Sequence, residues 1–218
     1  MNLVILNGSP KKHHSTTAKM IQVIKENFAD DTKVYQAVDS SSLEQPALQD
    51  MLAADVLLIA FPLYVDSLPM PLIRVLVELE QEAKVVKPLP KVYAVCHCGF
   101  YESSQNETAL RIIKNFCSRA GLDWQYGLGI GAGVFFGMTD DPSKWPAKTV
   151  YDALQKLSAD VLSNQGNQAE NVFVTPSVPR FIYKAGGNFG WKAQLRKNSA
   201  PKPDRNRAEK RDRNSREK

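Results

Sequence analysis

Cysteine is scarce: the 218 residues hold three, Cys96, Cys98 and Cys117. An odd count crowded into one stretch excludes a disulfide-stapled scaffold. No second paired-cysteine half-site stands opposite Cys96 and Cys98, so a structural zinc site is not expected either. Glycine (12) and proline (13) follow no collagen period. No Walker-type phosphate loop is present, and the late glycine run Gly127, Gly129, Gly131 and Gly133 breaks the dinucleotide-binding spacing. That run reads as a pliable loop near a substrate or a subunit interface. The longest apolar stretch, Val56 to Leu79, is interrupted by Pro62, Pro69, Pro71, Asp66, Arg74 and Glu78, which argues against a membrane span. The chain starts straight into Leu3, Val4, Ile5 and Leu6 with no basic leader, so a reducing cytoplasm is the expected compartment.

What remains is ordinary globular composition, 43% hydrophobic and 23% charged. The net charge of +5 is unevenly spread: from Lys192 onward there are 11 Lys/Arg against 4 Asp/Glu, which leaves the first 191 residues at −2. The basic character therefore belongs to the tail and says nothing of the body. Residues 199–218 have almost no apolar side chain and read as a disordered basic tail. Their mixed signs and lack of aromatics give no expectation of specific nucleic-acid binding.

Short apolar runs alternate with helical periods. Leu3–Leu6, Lys33–Val38, Asp55–Phe61, Lys91–Cys98 and Trp124–Ile130 read as strands. Helices are expected from Ser15, from Pro71, over Glu107–Ala120 with Gly121 closing it, and over Ala147–Leu162. The alternation predicts an α/β doubly wound, three-layer sandwich with five parallel strands. A domain spanning 1–165 is followed by an aromatic and basic extension over 166–198.

In such a sheet ligands collect where loops leave the carboxyl ends of the strands. The loop after the first strand sets Ser9, Lys11, Lys12, His13, His14, Ser15, Thr16 and Thr17 around a helix N-terminus, a natural anion socket. The loop after the third strand is apolar and aromatic where exposure would favour polar residues: Pro62, Leu63, Tyr64, Val65. Cys98, Gly99, Phe100, Tyr101 and Glu102 follow the fourth strand, the glycine permitting close backbone approach.

These loops resemble those of the flavodoxin-like NAD(P)H-dependent FMN reductase and quinone reductase family. The carrying residues are Leu6, Asn7, Gly8, Ser9, Pro10 and Lys11 with Ser15–Thr17; Phe61, Pro62, Leu63 and Tyr64 with Leu68–Leu72; and Gly99, Phe100, Tyr101 and Glu102. The resemblance covers residues 1–165 and implies a sheet of order 2-1-3-4-5. It further implies that Ser9, Lys11, Ser15, Thr16 and Thr17 hold the FMN phosphate, that Pro62, Leu63, Tyr64 and Val65 flank the isoalloxazine, and that Cys98, Gly99, Phe100, Tyr101 and Glu102 line its other edge. Backbone N–H groups near the ring would then stabilise its reduced form. His97 reads as a strand-end side chain outside this set.

The function so implied is hydride transfer from NADH or NADPH through FMN to a quinone, nitro, azo or flavin acceptor, in a homodimer. The cofactor performs the chemistry, so no nucleophile–base pair is needed and no catalytic side chain is assigned. Two other classes stand beside it: a flavodoxin-type electron carrier, for which a body at −2 is weakly acidic, and a flavin-free scaffold of the same fold. Phe181, Tyr183, Phe189 and Trp191 lie among five cations in the extension. They read as aromatics docked on the body or a partner subunit, with peripheral membrane contact the lesser alternative.

Overall fold

Apolar residues fill both faces of the central strands, as a sheet covered by helices on each side requires. In the computed structural model, which describes residues 1–11, 14–38, 45–84, 88–163 and 170–198, every residue of β1 (Leu3–Asn7) and β3 (Val56–Pro62) is buried. They are joined by β2 (Lys33–Gln36), β4 (Lys91–His97), β5 (Asp123–Ile130) and β6 (Val172–Val174). All pairings are parallel, in the order β2-β1-β3-β4-β5-β6. The expected order 2-1-3-4-5 is present, but the sheet has six strands rather than five. The sixth lies within the segment read as an extension: Leu128, Gly129 and Ile130 pair with Val172, Phe173 and Val174.

Side chains alternate between two cores. Val4 and Leu6 face one built with α2 (Gln45–Ala53), α3 (Met70–Glu82) and α4 (Glu107–Ala120). Leu3 and Ile5 face the other, built with α1 (Thr16–Lys25), the single-turn α5 (Gly133–Met138) and α6 (Lys148–Leu162). This period-two division is the expected consequence of pleating. Ser15 caps α1 with its Oγ accepting from Ala18 N–H at 3.0 Å, a contact of about 1 kcal/mol. Gly121 ends α4 at φ 74°, where a side chain would be strained.

The first compact unit runs Met1–Val178 and a second begins at Pro179. In the second, α7 (Arg180–Asn198) exposes Phe181, Ile182 and Phe189. No helix among the described residues is long and apolar enough to cross a membrane. Lys12, His13 and the tail 199–218, on which sequence expectations also fall, lie outside the described residues.

Candidate functional site

The chain leaves β1 toward β2 on one side and crosses from β3 to β4 on the other, so a crevice opens between the carboxyl ends of β1 and β3. Three loops and the start of α1 meet there. They enclose a cavity of about 240 Å³ lined by Ser9, Lys11, Ser15, Thr16 and Thr17 on one side, and by Pro62, Leu63, Tyr64, Cys98 and Gly99 on the other. Small-molecule sites usually span about 300–1,000 Å³. A ligand larger than the cavity would therefore keep part of its surface open to solvent.

The β1–α1 side is built for an anion. Ser9 and Thr17 are buried, and no described side chain lining the cavity is acidic. Among the described residues nothing accepts from the Thr16 and Thr17 amide N–H groups at the start of α1, whereas Ala18 N–H is held by Ser15. Free amides, the positive end of the helix and the Lys11 ammonium all favour negative charge. Gly8 brings this loop close: a Cβ there would stand 2.8 Å from Leu72 Cδ2 and 2.9 Å from Phe61 Cβ.

The β3 side is apolar and tightly turned. Tyr64 and Ser67 exchange N–H to carbonyl hydrogen bonds of 3.0 Å in both directions. Between them Val65 and Asp66 take φ of 49° and 55°; aspartate tolerates this region, but a β-branched residue such as Val65 seldom adopts it, at a cost on the order of 1–3 kcal/mol.

His97 joins the two sides. Its Nε2 is 2.8 Å from Thr17 Oγ1, its carbonyl accepts from Leu63 N–H at 2.8 Å, and it lines the cavity. Burial pushes the imidazole from 6.5 down to about 4, so the ring is neutral at pH 7. In the tautomer that carries its proton on Nε2, the neutral ring donates to Thr17 Oγ1 and leaves the threonine proton free to point at an anion. Gly133 makes room: a Cβ there would lie 3.0 Å from His97 Nδ1.

Of the residues proposed from sequence, ten share this cavity: Ser9, Lys11, Ser15, Thr16, Thr17, Pro62, Leu63, Tyr64, Cys98 and Gly99. The other four lie outside its lining. Val65 sits at the tip of its turn, 97% exposed, and the Phe100 side chain is exposed while its carbonyl accepts from Ala132 N–H. Tyr101 donates its hydroxyl to the Val178 carbonyl at 2.9 Å, and the Glu102 carbonyl accepts from the Cys98 thiol. His14 of the first loop also lines the cavity, as do His97, which sequence reasoning set aside as a strand-end side chain, and Val134, which it did not single out. It also passed over Asn106, fully buried beneath the loop. Its Nδ2 donates to the carbonyls of Ser103 (2.9 Å) and Ile130 (3.1 Å), and its Oδ1 accepts from the Cys96 thiol.

The backbone N–H groups expected to face a ring are in part already engaged. Leu63 N–H donates to His97, Tyr64 N–H to Ser67, and Cys98 N–H to Ile130. Burial also raises the Cys98 thiol, which stays protonated at neutral pH.

No family model and no curated protein matches the sequence. Solved structures do match the fold. An NADPH-quinone reductase from P. pentosaceus is 16% identical, with a TM-score of 0.56 over 72% of this chain and 98% of that one. An NAD(P)H:quinone oxidoreductase from Methanothermobacter marburgensis is 14% identical, with a TM-score of 0.52 over 74% and 97%. General stress protein 14 from Treponema denticola, in complex with FMN, is 15% identical, with a TM-score of 0.50 over 75% and 97%. At these identities the likeness concerns architecture, and it agrees with the strand order: the chain has the flavodoxin-like fold in which those reductases are built.

Proposed function

We propose that the protein is a cytoplasmic, homodimeric FMN-dependent oxidoreductase that passes electrons from NADH or NADPH to a small quinone, nitro, azo or flavin acceptor. The observation that carries this reading is the pairing of an acid-free anion socket at the start of α1 with the apolar wall Pro62, Leu63 and Tyr64 across one crevice. A phosphate-bearing planar cofactor fits that donor set, and the fold-level neighbours include one solved with FMN.

Bound there, FMN would supply the two-electron chemistry that no side chain of the site offers. Ser9, Ser15 and Thr17 hydroxyls, the Thr16 and Thr17 amides and the Lys11 charge would hold the phosphate. Pro62, Leu63 and Tyr64 would exclude water from one side of the ring. His97 would hold the Thr17 proton toward the phosphate while adding no charge of its own.

The test is a titration of the full chain with FMN and with riboflavin, followed by anaerobic addition of NADH or NADPH. FMN should bind in the micromolar range or tighter, on the order of −8 kcal/mol. Thr17→Val should weaken FMN about tenfold, on the order of 1.4 kcal/mol, and leave riboflavin unchanged. Bleaching of the flavin band by either nicotinamide supports a reductase. Bound flavin that ignores both would point to a carrier, and absence of binding at tens of micromolar FMN would refute the flavin reading altogether.

A further inference from the structure

The last described helix, α7, carries large apolar side chains outward. Phe181 (72%), Ile182 (45%), Phe189 (75%) and Leu195 (64%) are all exposed along it. A single exposed apolar residue needs no explanation, but four on one helix, two of them phenylalanine, do. By their spacing Phe181, Ile182, Ala185 and Phe189 share one helical face, and Lys192 and Arg196 continue that row toward the C-terminus. The row is apolar in its first half and cationic in its second.

Charge on the helix has one sign. Arg180, Lys184, Lys192, Arg196 and Lys197 stand in α7, and no acidic residue does. From Arg180 to the end of the chain there are 13 Lys/Arg against 4 Asp/Glu, whereas the 179 residues before it hold 15 against 19. A surface that complements α7 is therefore anionic and offers apolar depth beside its charge.

The glycines point the same way. Gly186, Gly187 and Gly190 each weaken the helix relative to alanine. A Cβ at Gly186 or Gly187 would meet nothing within 4 Å, so no close packing among the described residues requires glycine there. A helix so loosely favoured by its own sequence gains order from whatever covers its apolar row.

Three kinds of surface combine negative charge with apolar contact, and the residue types choose among them. A nucleic acid stacks its bases on aromatic rings, but Ile182 and Leu195 offer no ring. A protein interface buries its apolar residues in a core depleted of lysine, but here Lys184 and Lys192 interleave with the apolar side chains. A lipid surface accommodates both: apolar side chains enter the acyl boundary, while lysine stems lie along it and their ammonium groups reach the phosphates. About four to eight cations on such a helix select anionic lipid.

We propose that α7 is a membrane-docking helix, which lies in the headgroup region of an anionic bilayer with Phe181, Ile182 and Phe189 inserted and its lysines on the lipid phosphates. This is attachment to one leaflet and not a span. The proposal goes beyond the flavin reading and stands whether or not the cavity takes FMN.

The experiment is sedimentation of the full chain with vesicles of phosphatidylcholine alone and of phosphatidylcholine mixed with phosphatidylglycerol, at an ionic strength of about 0.15 M. It is run on the wild type, on Phe181→Ser/Phe189→Ser and on Lys184→Gln/Lys192→Gln. The wild type should partition at least about tenfold more strongly onto the phosphatidylglycerol vesicles. The phenylalanine pair should weaken that partitioning about tenfold or more, and the lysine pair about twentyfold, at roughly fivefold per cation. All four positions are exposed, so the melting temperature of both variants should match the wild type. Absence of binding to either vesicle, equal partitioning onto both, or a double variant bound as well as the wild type would each overturn the proposal. A dimer that the phenylalanine substitutions split, with no vesicle binding, would overturn it in favour of a second copy. Binding of single-stranded RNA, again with no vesicle binding, would overturn it in favour of nucleic acid. Phenylalanine-dependent binding to anionic vesicles by a chain that takes no FMN would uphold it and sink the flavin reading instead.

Discussion

Acidification should act on this protein through His97. The imidazole falls from 6.5 to about 4 because it is buried. Between those values the unfolded chain binds a proton that the folded chain refuses, so stability rises with pH across the window and is lost as pH falls through it. The full difference of 2.5 units amounts to about 3 kcal/mol, of which about 2 kcal/mol is already lost at about pH 5. Asp50 and Asp141 both lie below the usual carboxylate range, the first through hydrogen bonds from Lys33 and Tyr35, the second through Lys144 and Ser143. Their effect falls at more acid pH and is common to any His97 variant. Urea unfolding at about pH 7.5 and about pH 5, on the wild type and on His97→Gln, isolates the contribution. Glutamine keeps a donor for Thr17 and removes the titration. The variant should lose about 2 kcal/mol less than the wild type on acidification. An anion in the cavity favours the charged ring, so saturating FMN should flatten the wild-type slope as well. Equal pH dependence of wild type and variant would refute the reasoning, because it would mean that the ring titrates alike in both states.

Three other perturbations probe the frame around the site. Asn106→Leu strips a donor from the Ser103 carbonyl and one of two from the Ile130 carbonyl, which keeps Cys98 N–H; at about 1–3 kcal/mol for a buried group left without its partner, urea unfolding should show a loss of about 1–3 kcal/mol. Gly131→Ala would set a Cβ 2.3 Å from the Tyr101 carbonyl oxygen and 2.7 Å from Ser103 N. Backbone must move to admit it, so the melting temperature should drop by about 2–12 °C, from about 1–3 kcal/mol at about 2–4 °C each. The buried Cys98 thiol, raised by desolvation, should resist iodoacetamide at neutral pH and react promptly only in denaturant; rapid labelling of the folded protein would contradict its placement.

The parts of this molecule that were legible in the sequence are those whose signals are local. Asp55–Phe61 announced a strand covered on both faces because six consecutive apolar residues have no other stable home, and β3 is buried throughout. Gly121 marked the end of α4 because the left-handed residue after a helix favours glycine. Once the chain alternates strands and helices, the loops after β1, β3 and β4 must converge, so Ser9, Thr17, Leu63 and Cys98 could be grouped without coordinates. Helix α2 carried a readable period in Ala47, Leu48, Met51 and Leu52 but is only nine residues long. Strand β6 has three residues, two of them exposed, and owes its place to pairing with β5.

Partners set by register were silent. Gly127 and Gly129 looked like a pliable loop. They lie within β5, where a Cβ would meet Leu110 at 2.6 Å and Phe173 at 2.6 Å respectively, so close packing rather than flexibility explains them. His97 meets Thr17 across 80 positions, and Asn7 meets Gln36 because β1 pairs with β2 in one register and no other. A shift of one residue would turn Gln36 to the opposite face. The cavity therefore follows from topology, which sequence patterns convey, and its cross-strand neighbours from register, which they do not.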